Sequence, residues 1–296
     1  MNLSNVFKDD KVTLSFEVFP PKPTANFDSV YASAMKVAEL KPDYMSVTYG
    51  AGGSTRSNTF RIAADIQEKY EVPGISHLTC VGATVDELKN TLDEMKNAGI
   101  KNILALRGDR PKDFTGEPFT DFHYATELIA KIREYTGDYF CIGGACYPEG
   151  HPECDTKSED IEHLKEKVEA GCEFLTTQMF FDNNIYYNFL YKIRDKGINV
   201  PVTAGIMPIT RATQVANAIS MSGSNMPERF KNLVDHFGSN PAAMQQAGIA
   251  YAVDQIIDLL SNDIDGIHLY TMNKPWITRA IVENLSDILG LNDGEA

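Results

Sequence analysis

Residues 74–109 read GISHLTCVGATVDELKNTLDEMKNAGIKNILALRGD, and this single stretch contains a complete strand–helix–strand unit. Residues 74–80 form a short run rich in apolar and β-branched side chains. Thr84-x-x-Glu87 then has the spacing of a capping box, in which a hydroxyl and a carboxylate satisfy the free N–H groups of a helix start. Val85, Leu88, Leu92 and Met95 follow on one helical face, and Gly99 marks the stop. The next run opens on Ile103-Leu104-Ala105-Leu106. Its continuous apolarity is the mark of a parallel strand buried on both faces, not of a half-solvated antiparallel one.

Working outward, the same unit recurs along the chain. Strand-like runs fall at residues 13–20, 44–50, 74–80, 102–109, 139–148, 174–182, 200–208 and 266–273. Between them, Phe27, Val30, Ala34 and Val37 share a helical face, as do Ile62, Ile66 and Tyr70. Ser158 is expected to open a helix carrying Ile161, Leu164 and Val168, closed by Gly171. Strict alternation of strand and helix predicts an α/β protein with a parallel sheet, and eight units at a spacing of about 30 residues predict a closed (β/α)8, or TIM, barrel. The stretch 210–262 is too long for one helix and is punctuated at Gly223, Pro227 and Gly238, so extra helices are expected between strands 7 and 8. No Gly/Ser- or Pro-rich linker divides the chain, and residues 1–296 are read as a single barrel domain.

Composition bounds the function. With 43% hydrophobic and 23% charged residues the chain is an ordinary globular protein. Its net charge of −14 disfavours a nucleic-acid partner, and the densest basic stretch, Lys165-Glu166-Lys167, carries its own carboxylate. There is no apolar run long enough for a membrane span and no secretory-type start. Five cysteines without a C-x-x-C pair are expected to be reduced thiols, mostly buried, in a cytoplasmic protein.

In such barrels the loops leaving the C-terminal strand ends build the active site. Those ends carry Glu17; Thr48 and Tyr49; His77 and Thr79; Arg107 and Asp109; Tyr147, Glu149 and His151; Gln178 and Asp182; and Tyr270, Asn273 and Lys274. A barrel strand has no solvated face, so Glu17 must be paired, coordinated or protonated. Gly108 would let a ligand approach the backbone. Gly50-Ala51-Gly52-Gly53 lacks the third glycine of a dinucleotide fingerprint, since position 55 is Thr. Walker, G-x-S-x-G and H-E-x-x-H motifs are absent. The residues alone leave open a flavin-free barrel lyase or a metal-assisted hydrolase using Glu17, His77, Asp109 and His151.

The segments SFEVFPPK, SVTYGAGGSTR, HLTC, ALRGD, YPEGHPE, TTQMFFD, GIMPIT and LYTMNK, in this order between about residues 13 and 290, closely resemble the bacterial type of 5,10-methylenetetrahydrofolate reductase. The resemblance implies a barrel that binds FAD, takes hydride from NADH or NADPH, and then reduces methylenetetrahydrofolate to 5-methyltetrahydrofolate in a ping-pong sequence. It implies Glu17 as the acid, kept protonated by Phe16, Phe19 and Pro20, and Asp109 beside flavin and pterin. For the flavin it implies Tyr49, Ala51, His77, Arg107, Gly108, Asp109, Ala125, Tyr147, His151, Asp160 and Lys167. For the folate and nicotinamide it implies Thr48, Asp109, Gln178, Gln214 and Lys274. Lys274 stands where the best-known members carry arginine. The stacking aromatic of those members would fall near 217–218, where this chain has none, so stacking is expected from another residue such as Phe181 or Tyr270, or the long helical insert is arranged differently. Members are often oligomeric, and some anaerobes' reductases work with an additional subunit, so a homo-oligomer or a hetero-complex is expected.

Overall fold

The computed structural model describes residues 1–8, 11–21, 26–50, 55–109 and 117–291. Eight parallel strands close into a barrel in sequence order, β1 (Thr13–Val18), β2 (Tyr44–Val47), β3 (Gly74–Thr79), β4 (Asn102–Leu106), β5 (Cys141–Cys146), β6 (Phe174–Thr177), β7 (Val202–Ile206) and β8 (Gly266–Tyr270). Helices α1 (Phe27–Ala38), α2 (Arg56–Tyr70), α3 (Val85–Asn97), α4 (Ala125–Thr136), α5 (Lys157–Glu169) and α6 (Asn183–Asp195) follow the first six strands in turn. After β7 come α7 (Thr213–Ser222), α8 (Glu228–Phe237) and α9 (Pro241–Leu260), and α10 (Pro275–Leu285) follows β8. The punctuation read in the sequence holds: Gly223 caps α7 at φ +66°, Pro227 precedes α8 and Gly238 ends it.

The β3–α3–β4 unit folds as its residues dictate. The Thr84 hydroxyl accepts from the Glu87 N–H at 3.2 Å, and the Glu87 carboxylate accepts from the Thr84 N–H at 3.0 Å. Leu88, Leu92 and Met95 are buried against the barrel. One expected start differs. The cap of α5 is Thr156, whose hydroxyl accepts from the Glu159 N–H at 3.2 Å, and Ser158 lies inside the first turn. Both hydroxyls precede the apolar positions, but only Thr156 has the extended backbone that a cap requires.

Side-chain alternation sorts the strands into two cores. Leu14, Phe16 and Val18 face outward into the helix-covered shell. The β1–β8 and β1–β2 registers, Ser15↔His268, Glu17↔Tyr270 and Glu17↔Ser46, place the other side chains of β1 in the interior. At the N-terminal end that interior is filled by Tyr44, Ile75, Leu104, Cys141 and Phe174. A 3-10 turn, Leu3–Lys8, plugs it from below: Leu3 is fully buried, and its N–H donates to Asn102 Oδ1 at 2.9 Å. Phe7 packs on Phe174 at 5.1 Å and on Tyr44 at 5.8 Å between ring centres. With that end closed, access to the interior is from the C-terminal end. Among the described residues, no helix is long and apolar enough to cross a membrane.

Candidate active site at the C-terminal mouth

Glu17 lies at the mouth, with a side chain about a fifth exposed. Its Oε2 lies 3.5 Å from His77 Nε2 and 3.7 Å from His268 Nε2, both histidines being almost wholly buried. Ser15 Oγ lies 2.8 Å from His268 Nδ1, and Tyr270 stacks edge-on to His268 at 5.3 Å. Strand alternation corrects one expectation. Phe16 points into the outer shell, so the nearest neighbours of Glu17 are polar. Burial pushes the Glu17 carboxyl up, but the nearby His268 and His77 imidazoles and the Ser46 hydroxyl outweigh it, and the net shift is downward. In the free protein Glu17 is therefore a carboxylate rather than an acid kept neutral by apolar flanks. Burial holds His77 down at about 4, so its imidazole is neutral at neutral pH.

Ser46 Oγ and Thr79 Oγ1 are buried with no hydrogen-bond partner, and the Nε2 atoms of His77 and His268, also without one, face the Glu17 carboxylate at ion-pair distance. A buried unpaired donor costs stability unless something fills its site. Beside Thr79, Gly108 takes φ +81°, and a Cβ there would come within 2.8 Å of Thr79 Cβ, so any other residue would close the space between β3 and β4.

The other expected residues divide into those at the mouth and those bracing it. Thr48 continues β2, its N–H donating to Val18 O at 3.0 Å, and Tyr49 packs beside Phe60. Burial pushes the Tyr49 and Tyr147 phenols up to about 12, with the charge of the exposed Asp109 a further cause at Tyr147. Arg107 donates to His123 O at 3.1 Å, pairs with Glu153, and lies over the rings of Phe119 and Tyr124 at 4.5 and 5.6 Å. Ala125 opens α4 just behind it and is buried. Asp160 and Lys167 do share a face of α5, and both reach the backbone around β5. The Asp160 carboxylate accepts from the His151 N–H at 3.1 Å, and Lys167 Nζ donates to Ala145 O at 2.7 Å. Burial raises the Asp160 carboxyl, while it lowers the imidazole of His151, which stacks edge-on to Tyr147 at 4.6 Å. Gln178 Oε1 accepts from Met179 N, and Gln214 Oε1 accepts from Thr210 N at 3.0 Å, bracing the loop after β7. Ala51 lies outside the described residues.

Phe181 is not free to stack on a ligand: it is buried against Phe230 at 5.6 Å. Tyr270 does stand at the mouth, in space left by Gly205, its hydroxyl donating to Thr177 O at 2.7 Å. Three neighbours of the candidate site have no local signal in the sequence. Ser15 and His268 occupy inward rows of β1 and β8, a signal that only the exact register reveals. Arg211 was also missed; burial first, then the Arg211 charge, holds the Lys274 ammonium below its usual value, so two cations stand near one another at this rim. Among the described residues, no group of three or more His, Cys, Asp or Glu side chains is arranged to hold a metal ion.

The residues at the mouth suit a ligand with polar and anionic parts. Unpartnered polar atoms line the interior, a glycine opens the wall, and Arg211 and Lys274 place positive charge at the rim; Arg107 is paired with Glu153 and Lys167 holds Ala145 O. The family model described as methylenetetrahydrofolate reductase matches residues 2–286. Methylenetetrahydrofolate reductase 1 of Schizosaccharomyces pombe is 35% identical over 278 residues, covering 93% of this chain and 46% of that protein. The 5,10-methylenetetrahydrofolate reductase of Escherichia coli is 32% identical over 291 residues, covering 98% of this chain and 96% of that one. The chain thus spans about half the length of the fungal relative and nearly all of the bacterial one. A Clostridium thermocellum protein whose structure binds two copies of 5-methyl-5,6,7,8-tetrahydrofolic acid superposes with a TM-score of 0.63 at 14% identity, covering 98% of this chain and 99% of that one. That likeness concerns the fold.

Proposed function

The chain belongs to the methylenetetrahydrofolate reductase family, and from that membership we propose that its barrel reduces 5,10-methylenetetrahydrofolate to 5-methyltetrahydrofolate, with NADH or NADPH as electron donor and FAD as resident cofactor. When bound, FAD supplies the relay by which hydride passes from nicotinamide to folate in two half-reactions at one mouth. Tyr49, His77, Arg107, Gly108, Asp109, Ala125, Tyr147, His151, Asp160 and Lys167 would hold it, with Ala51 as a further contact. Asp109, Gln178, Gln214 and Lys274 would serve the folate, with Thr48 and again Gln178 on the nicotinamide side. In this reading residues 1–296 act as one catalytic domain.

The observation that carries the reading is the environment of Glu17: a carboxylate at the barrel mouth, flanked by two buried histidines and by polar atoms without partners. Opening the five-membered ring of the folate needs a proton at the departing nitrogen and leaves a cationic iminium on the substrate. Glu17 is the group to deliver that proton. As a ligand closes the mouth, burial raises the proton affinity of Glu17, which takes a proton from solvent before water is excluded and then gives that proton to the departing nitrogen. Asp109, exposed in the free protein, supplies the negative charge that favours the iminium. Arg211 and Lys274 suit the anionic tail of a folate.

An absorption spectrum tests the reading. The purified protein should carry or take up FAD, bleach under anaerobic NADH or NADPH, and regain its colour on adding methylenetetrahydrofolate. A protein that neither carries nor takes up FAD would sink the proposal.

A further inference from the structure

The loop leaving β8 runs Thr271-Met272-Asn273-Lys274. Its two central residues both have left-handed backbone, φ +51° at Met272 and +50° at Asn273. The Lys274 N–H donates back to Thr271 O at 3.0 Å, which closes a turn of the I′ kind. Glycine and asparagine enter that conformation at little cost; methionine does not, because its Cβ crowds the backbone. Met272 is 41% exposed, so burial does not account for its conformation.

Asn273 does account for it. Its Oδ1 accepts from the Phe19 N–H at 3.0 Å, and its Nδ2 donates to Phe19 O at 2.8 Å. One carboxamide thus makes the two bonds that a neighbouring strand would make, and continues the β1–β8 pairing past its last partners, Glu17 and Tyr270. Thr271 completes the clasp: its Oγ1 donates to Glu17 O at 2.6 Å and accepts from the Asn273 N–H at 3.2 Å. The clasp therefore bonds to the backbone of Glu17 and Phe19 on one side and ends at Lys274, the residue before α10, on the other.

We propose that Asn273 is a positioning residue for the folate half-reaction, its carboxamide fastening the strained turn after β8 to the end of β1 so that Glu17 and Lys274 are held as one unit. This rests on the functional reading above for its consequence, though not for its geometry. Glu17 is needed when the folate ring opens and not when nicotinamide gives up hydride. Loosening the clasp should then separate the two half-reactions.

Asn273→Gly is the test, because glycine keeps the left-handed turn and removes only the carboxamide. Trp276, the single tryptophan, lies two residues past Lys274 and is about half exposed, so its quenching by acrylamide reports the clasp without any turnover. The expected result is greater Trp276 quenching, flavin bleaching by the nicotinamide within about twofold of the parent, and folate-driven recovery of colour slowed on the order of tenfold or more, with a raised folate KM. Unchanged Trp276 quenching, or an equal fall in both half-reactions, overturns the proposal. A parent protein that never bleaches overturns the functional reading instead, and the Trp276 signal still decides the clasp. If Asn273→Gly does not accumulate, Asn273→Asp keeps an acceptor for the Phe19 N–H but offers no donor to Phe19 O, and the same outcomes apply to it.

Discussion

The two ends of the barrel are built by the same strands and differ in what the inward rows carry. At the N-terminal end the rows supply Tyr44, Ile75, Leu104, Cys141 and Phe174, and the turn from Leu3 to Lys8 seals them from water. Toward the C-terminal end the inward rows supply Glu17, Ser46, His77, Thr79 and His268, and four of these five have a buried side-chain atom with no hydrogen-bond partner. The closed end is optimised for packing. The open end retains unsatisfied groups at a cost to stability, and that cost is compensated where a ligand makes the missing hydrogen bonds.

Mutations can break this contrast in decreasing steps. Glu17→Gln touches only the open end. It should lower the folate half-reaction by about 10²–10⁴-fold, the usual worth of a positioned acid, while flavin reduction by nicotinamide and the Tm stay near those of the parent. Rapid-mixing absorbance separates the two steps, and an equal loss in both would reject Glu17 as the acid. Phe174→Ala touches only the closed end. The Phe174 ring is fully buried, and Gly143 leaves room for it, so truncation should cost about 3–5 kcal/mol by urea titration with little change in flavin affinity. A weakened affinity without lost stability would mean that the two ends are not separable.

The next step is read from pH. His77 titrates near 6.5 when unfolded and at about 4 when folded, so between those values the unfolded chain holds a proton that the folded chain lacks. The stability from keeping this imidazole neutral is complete above pH 6.5 and is lost as pH falls toward 4. His77→Gln should flatten that part of the stability-versus-pH curve, by on the order of 3 kcal/mol at most. An unaltered slope would show that His77 is not the group responsible. Thr84→Ala sets the scale, since it belongs to neither end. Loss of its cap should cost about 1 kcal/mol and leave flavin affinity and the pH slope unchanged.

How much was legible varies with the range of the interaction. The α3 capping box, the strand–helix alternation and the breaks at Gly223, Pro227 and Gly238 depend on residues a few positions apart, and all were read from the chain. The cap of α5 was misplaced by two residues because Thr156 and Ser158 both suit the role by type. The ionisation of Glu17 was misread for a different reason: Phe16 and Phe19 are neighbours in sequence, whereas His77 and His268 are neighbours only through the register of three strands. Ser15 and His268 went unnoticed on the same ground. Phe181 looked available until the helices after β7 brought Phe230 against it.

The sequence by itself determined the eightfold alternation, the position of the inserted helices and the polar character of the strand ends, because periodicity and capping are local properties of the chain. Which polar groups meet was decided only when the barrel closed. Closure brings β8 beside β1 across some 250 residues, and with it His268 beside Glu17 and Asn273 onto Phe19. A site assembled from both ends of the chain has no local signature, and its chemistry follows from the register of that last seam.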